Sequence, residues 1–297
     1  MPHLLDENRD RLVRRAALLR LSASAIADNM KHGAFKSLYR GQGIEFSGVR
    51  EYTPDDNVRA IDWNVTARMG KPFVKQYEED RELQVFFVLD RSASMFSGSK
   101  RRSRMSAASE AAALLLLAAE QNASTTGAVF FDEKIRYSYA PKAGRAQVMT
   151  ILSHLDQIDD DTTTGSVLAQ ALNGAGKLLK RQSLVFVFSD FRTSDWILPL
   201  ARLSHKHDVV AVRVTDPADT ELPALGTIPF KDSETGELRV LPTSSSVFRQ
   251  AWKDADRQRT DFWQTECLRH GAYPLSLSTT DDAAQVLLRF FAVRSGA

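Results

Sequence analysis

The 297-residue chain exceeds one average domain without requiring two large ones. Its 43% hydrophobic and 26% charged residues exclude a disordered or fibrous protein, and a net charge of +2 exerts no overall pull toward nucleic acid or membrane. Cys267 is the only cysteine, which excludes an intrachain disulfide and any cysteine-based zinc site and suits a reducing compartment. The longest small-apolar run, Ala111 to Ala119, is too short to cross a bilayer. Arg9, Arg11, Arg14 and Arg15 have no continuous apolar segment behind them, so the N-terminus makes a poor signal peptide and the expected location is the cytoplasm.

In chain order, residues 8–30 carry Leu12, Ala16, Leu19 and Ile26 at helical spacing, with the arginines on a solvated face. From Gly41 to Glu82, strand-like pieces at Ile44–Phe46 and Phe73–Tyr77 alternate with turn signals and a dense mixture of arginine, acid and aromatic residues. That density predicts side chains locked into ion pairs in a small subdomain, a network centred on Trp63. The subdomain's other reading is a partner surface using Arg50 and Arg59. From Leu83 onward, strands and helices alternate. A strand ends at Asp90 and a helix covers about 102–122. Thr126–Asp132 and Ile135–Ala140 form a hairpin, and helices cover about 144–155 and 166–180. Leu184–Asp190 is a second apolar strand, followed by a helix near 194–204 and a third strand, Val209–Val214. Residues 222–242 break the rhythm with a hairpin tip at Ser233–Gly236. A helix over about 246–270, a strand at Tyr273–Ser278 and a helix over 281–293 close the chain. The pattern predicts a doubly wound, mostly parallel α/β domain over 83–297, with a hairpin insertion near 222–242. An N-terminal helix and a small strand/loop subdomain precede it over 1–82.

The stretch with the most chemistry is Val85–Met95. Its apolar run reads as a strand buried on both faces that delivers Asp90 to the carboxyl end of a parallel sheet, with hydroxyls at Ser92 and Ser94. On these residues alone, a helix cap and part of a Mg²⁺ shell are both open. Val185–Asp190 repeats the layout. In a 3-2-1-4-5-6 sheet, the two strands flank the point where the order reverses, so both aspartates face one crevice. The loop Asp161–Ser166 adds hydroxyls before a helix. Two aspartates neutralise a divalent cation, hydroxyls add uncharged ligands, and an open position attracts one more carboxylate.

Asp90-x-Ser92-x-Ser94, the hydroxyl loop and Asp190 resemble the metal-ion-dependent adhesion site of von Willebrand factor A domains. The resemblance implies metal ligands Asp90, Ser92, Ser94 and Asp190, with Ser166 or Thr164 as the remaining hydroxyl. The cation is Mg²⁺, with Mn²⁺ or Ca²⁺ as alternatives. Upstream, Gly41–Phe46, Arg50-Glu51-Tyr52, Pro54-Asp55-Asp56, Val58–Trp63 and Thr66-Ala67-Arg68 are similar to the hallmark of the DUF58 family. That similarity implies an adaptor or co-chaperone working with a MoxR-type AAA+ ATPase or its client, and the adhesion-site resemblance implies capture of a partner carboxylate; the leading reading is a non-enzymatic interaction module.

Lys100, Arg101, Arg102 and Arg104 crowd the start of a helix, where positive charge is disfavoured unless it faces acid. They either frame the crevice for an acidic partner or form a solvated rim. Gly41-Gln42-Gly43 lacks the third glycine of a nucleotide fingerprint, and no Walker A sequence or Gly-x-Ser-x-Gly elbow occurs. His205-Lys206-His207 reads as a loop, and Trp252, Phe262 and Trp263 read as packing residues of the late helix. The rival reading is a Mg²⁺-dependent hydrolase of a phosphate or ester, for which the sequence offers no clear general base.

Overall fold

The run of buried β-branched and aromatic residues in each central strand specifies the architecture. In the computed structural model, which describes residues 22–30, 44–53, 56–79, 83–99, 102–155, 166–231 and 238–295, the chain divides into two compact units. One comprises residues 39–82, the other 1–38 together with 83–297.

The larger unit is built on a six-stranded sheet of β3 (Gln84–Asp90), β4 (Thr125–Phe131), β5 (Ile135–Lys142), β6 (Leu184–Ser189), β7 (Asp208–Thr215) and β10 (Tyr273–Ser278). Its order is β10-β7-β6-β3-β4-β5, and only β5 runs antiparallel to its neighbour. Counting only these strands, that is the expected 3-2-1-4-5-6 order of a von Willebrand A-type sheet. The central strands β3 and β6 are buried almost throughout because helices cover both faces. Phe87 and Phe186 stack across them with ring centroids 5.9 Å apart. Close backbone approach selects glycine on β4: a Cβ at Gly127 would lie 2.7 Å from the Tyr139 carbonyl oxygen and 2.9 Å from the Phe86 ring.

The alanine- and leucine-rich helix α3 (Arg104–Gln121) begins two residues later than its sequence pattern suggests, because the Ser103 side chain caps it by accepting from the Ser106 amide. The other covering helices are α4 (Arg145–Leu155), α5 (Leu168–Leu178), α6 (Ile197–Ser204), α8 (Ser246–Arg269) and α9 (Ala283–Ser295), with a one-turn helix α7 (Pro217–Thr220) after β7. Strands β8 (Thr227–Lys231) and β9 (Leu238–Pro242) pair as an antiparallel hairpin. Its expected tip, Ser233–Gly236, lies outside the described residues.

Of the expected N-terminal helix, residues 22–30 are described and helical and form α1; residues 8–21 lie outside the described residues. Helix α1 groups with the sheet unit, not with the segment to which the sequence boundary at 82/83 attached it. Its Ile26 and Met30 are fully buried, and Asn122 Nδ2 donates to the Ala27 carbonyl at 3.0 Å. Among the described residues, no helix is long and apolar enough to cross a membrane.

The smaller unit pairs β1 (Ile44–Glu51) and β2 (Phe73–Glu79) antiparallel around helix α2 (Trp63–Met69). Asp62 caps α2 by accepting from the Asn64 and Val65 amides, and Gly70 closes it at φ 70°. Arg50 donates both terminal nitrogens to Asp56, which also accepts from the Thr53 amide and hydroxyl. The Arg50 hydrogen bonds, with those from Thr53, hold the Asp56 carboxyl well below its usual range. The expected ion pairs are therefore present, but they do not surround Trp63. That side chain stands 67% exposed at the first turn of α2.

Candidate functional site

Parallel pairing brings the two aspartates to one end of the sheet. Leu89 is in register with Phe188, so Asp90 falls level with Ser189, and Asp190 follows immediately beyond β6. Both carboxylates are buried, at 1% and 3% exposure. After β3 the chain folds into an Asx turn, the Ser92 amide donating to Asp90 Oδ1 at 2.9 Å. A short 3-10 turn, Ala93–Phe96, follows. It places the Ser92 and Ser94 hydroxyl oxygens 3.2 Å apart, both side chains buried. Ser166 arrives from the other side of the crevice because the Val167 amide donates to the Asp132 carbonyl at the end of β4 (2.8 Å). Its hydroxyl then reaches Asp90 Oδ2 at 3.3 Å.

Asp90, Ser92, Ser94, Ser166 and Asp190 therefore occupy one crevice. Thr164, the other candidate hydroxyl, lies outside the described residues. Among the described residues, no three His, Cys, Asp or Glu side chains gather as a metal cluster. The crevice holds two carboxylates with hydroxyls, a donor set that suits a hard cation and no soft one.

Its electrostatics are unbalanced. Burial, and then repulsion from Asp190, push the Asp90 carboxyl up to about 7, against the lowering effect of hydrogen bonds from Ser189 and Ser92. Asp190 Oδ1 accepts the Arg192 amide at 3.2 Å, whereas Oδ2 is buried without a hydrogen-bond partner. The Arg192 Nε, 3.7 Å from that oxygen, is near enough for Coulomb attraction but not for a hydrogen bond. A carboxylate pair with one unfilled oxygen and mutual repulsion fits a divalent cation.

Sequence reasoning missed two parts of the site. Ser189 donates to Asp90 Oδ2 at 2.6 Å and accepts from the Phe191 amide at 3.1 Å, linking the two aspartate loops. Phe191 adopts φ 54°, a left-handed conformation costly for an aromatic residue, which turns the loop back beside Asp190. The second part is a buried ionic bridge. Asp219 Oδ1 accepts from Arg104 Nη2 at 2.5 Å and from Arg192 Nη2 at 2.6 Å, while Arg104 Nη1 also donates to the Ser94 carbonyl at 3.2 Å. Burial alone would raise the Asp219 carboxyl, but Arg192 and Arg104 outweigh it and hold the group below its ordinary value. Nearby, Asp216 accepts from the Ser99 amide at 3.1 Å and the Thr279 hydroxyl at 2.8 Å, pinning the far end of the Ser92 loop.

The expected basic frame is corrected in part. Arg102 pairs with Glu110 and donates to the Asp281 carbonyl, so it braces α3 instead of presenting a free charge to a partner. Arg104 is 4% exposed and serves the Asp219 bridge, which removes the electrostatic penalty of a cation at a helix N-terminus. Lys100 and Arg101 lie outside the described residues. Arg50 belongs to the smaller unit and is committed to Asp56; the Arg59 backbone forms part of a 3-10 turn there, and its side chain lies outside the description.

Comparison with known proteins identifies the family of the chain. Residues 48–261 match the family model described as "Protein of unknown function DUF58". An uncharacterized protein of Mycobacterium tuberculosis is 30% identical over 280 residues, covering 93% of this chain and 87% of that one. An uncharacterized protein of Mycobacterium avium is 32% identical over 126 residues, 41% of this chain and 73% of that one. Among solved structures, the conserved hypothetical protein BatB from Bacteroides thetaiotaomicron aligns with a TM-score of 0.47 at 14% identity, covering 72% of this chain and 100% of that one. The chain belongs to the DUF58 family.

Proposed function

We propose that this protein is a metal-dependent protein-interaction module. A divalent cation, in the first instance Mg²⁺, is held by Asp90, Ser92, Ser94, Ser166 and Asp190, and a carboxylate of a partner protein completes its shell. The observation that carries this reading is the pair of buried, mutually repelling aspartates, one with a buried oxygen lacking a hydrogen-bond partner. Two carboxylates balance the charge of the ion, and the serine hydroxyls add oxygen ligands without charge. When bound, the ion supplies the attraction for an incoming acid. The protein's own residues supply orientation: Ser189 and the Ser92 amide fix the Asp90 carboxylate, and the Arg104–Asp219–Arg192 bridge fixes the two loops. The family resemblance supplies the partner class, a MoxR-type AAA+ ATPase or its client, with this chain as adaptor or co-chaperone in the cytoplasm.

The test is affinity capture from cell extract with wild type and Asp90→Ala, each with and without chelator, read by mass spectrometry and accompanied by calorimetry with Mg²⁺. Capture that needs Mg²⁺ and vanishes in the variant is the expected result. Retention of both Mg²⁺ binding and partner capture in Asp90→Ala sinks the reading. Mg²⁺-dependent turnover in a phosphate and ester panel, lost in Asp190→Ala, would replace docking by hydrolysis.

A further inference from the structure

Helices α5 and α6 pack against each other, and between them runs a surface trough of about 710 Å³. Its floor is apolar, with Leu172, Pro199 and Leu203 buried beneath it. Its rim is cationic: Lys177, Arg202 and Lys206 are exposed, with His205 beside them. The loop His205-Lys206-His207, which leaves α6 and leads directly into β7, closes one end. The trough therefore lies at the amino ends of β6 and β7, opposite the end that carries Asp90 and Asp190. Helix α5 spans the two places, with Ser166 just before its first turn and Lys177 in its last, and its 11 residues separate them by about 16 Å.

The charge of this face is one-sided. Residues 166–183 and 196–207, which build both walls, contain no Asp or Glu, in a chain with 37 acids against 39 lysines and arginines. Among the described residues, no ion pair engages Lys177, Arg202 or Lys206. At the other end of the sheet, Arg104, Arg192 and Arg213 each meet a carboxylate. Lys177 and Arg202 complement helix C-termini, but that role leaves their charge open to solvent and does not call for an apolar trough between them.

Gly176 adds a second, independent sign. It stands on the trough wall within α5, where glycine weakens a helix. Packing does not demand it: within 4 Å a Cβ there would meet only Leu203 Cδ1, at 3.7 Å, an ordinary contact. The missing side chain instead keeps room for the close approach of another chain. Because the rim residues are exposed, the trough is open and would leave a small molecule largely in water. A nucleic acid draws on a run of phosphate contacts, which a few cations around an apolar floor do not supply.

We propose that this trough docks an acidic segment of a partner protein, its apolar side chains on Leu172, Pro199 and Leu203 and its Asp or Glu side chains against Lys177, Arg202 and Lys206. The proposal does not rest on the metal reading. It adds a second docking surface at the far end of α5, which lets the chain hold two proteins at once.

Panning a phage-displayed random peptide library on the full chain in chelator, with the metal site silent, tests it. The expected result is enrichment of peptides in which Asp or Glu are interspersed with Leu, Ile or Phe. A fluorescent copy of an enriched peptide should bind equally in Mg²⁺ and in chelator by anisotropy. Its affinity should fall at least about tenfold for the double variant Lys177→Glu/Arg202→Glu. Gly176→Leu should keep or raise Tm, because leucine is the better helix former, and should lose the peptide. The charge-reversed pair, at exposed positions, keeps the test decisive if Gly176→Leu disturbs α5. Enriched peptides without acids overturn the proposal, as do acidic peptides whose binding survives charge reversal. No peptide enrichment overturns it too, and binding of a duplex oligonucleotide or phosphatidylserine vesicles that the charge-reversed variant loses would then reassign the face to nucleic acid or membrane.

Discussion

Asp90 and Asp219 are buried to a similar depth at the same end of the larger unit, yet their surroundings treat them in opposite ways. Asp219 sits between the guanidiniums of Arg104 and Arg192, accepts the Asp216 amide in the capping box of α7 and is held below its ordinary value. Asp90 has hydroxyls, one amide and a second carboxylate for neighbours, and is pushed up to about 7. Burial is the first-ranked influence on both, so the partner, not the depth, decides the sign. One carboxylate is satisfied from within the chain and builds the frame. The other is left electrostatically incomplete and is the one that the proposed cation would complete.

Breaking the frame gives the largest expected effect. Asp219→Ala strands the buried Arg104 charge and frees Arg192, and should cost about 3–5 kcal/mol of unfolding free energy in chemical denaturation. A loss below about 1 kcal/mol would mean that Asp219 is no more internally satisfied than Asp90.

Asp90→Asn should act in the opposite direction when divalent ions are absent. The Asp90 carboxyl is raised in the fold from 3.8 to about 7, so its contribution is fully present below about pH 4 and is lost as the pH rises toward 7. The wild-type protein should therefore lose stability across that window and level off above it. The asparagine variant should lack this slope and at pH 8 be more stable by an amount on the order of a few kcal/mol. It should also show no Mg²⁺-induced rise in Tm. A variant less stable than wild type at pH 8 would show that Asp90 is as well satisfied as Asp219.

A smaller effect separates orienting from holding. Ser189→Ala removes the hydroxyl that fixes Asp90 Oδ2, and calorimetry should find Mg²⁺ affinity lower by roughly tenfold with the stoichiometry kept. The smallest effect is a readout for all three variants. Burial, with a lesser contribution from Glu266, pushes the Cys267 thiol up to about 12, so it should resist a thiol reagent in the native state. Labelling should quicken in Asp219→Ala and stay slow in Asp90→Asn.

Much of this arrangement was legible in the residues alone because it depends on short-range patterns. Val85–Leu89 and Leu184–Phe188 read as buried strands, each leading to an aspartate, and the alternation of elements sufficed for a doubly wound sheet. Ser189 was inside that pattern but silent, because its direction toward Asp90 follows from the pairing of Leu89 with Phe188. The Arg104–Asp219 pair spans 115 positions, so Arg104 read as one more cation in a costly cluster. Trp63 read as the centre of an ion-pair network, since composition reports which residues are near in sequence and not which way an indole turns.

By itself the sequence determined the strands, the acids at their ends and the hydroxyls beside them, all consequences of local hydrophobic period and residue chemistry. Only the tertiary structure decided which buried charge finds a partner. Ion pairing is a property of distance in space, and the chain brings residues 104, 192 and 219 together while setting 90 against 190.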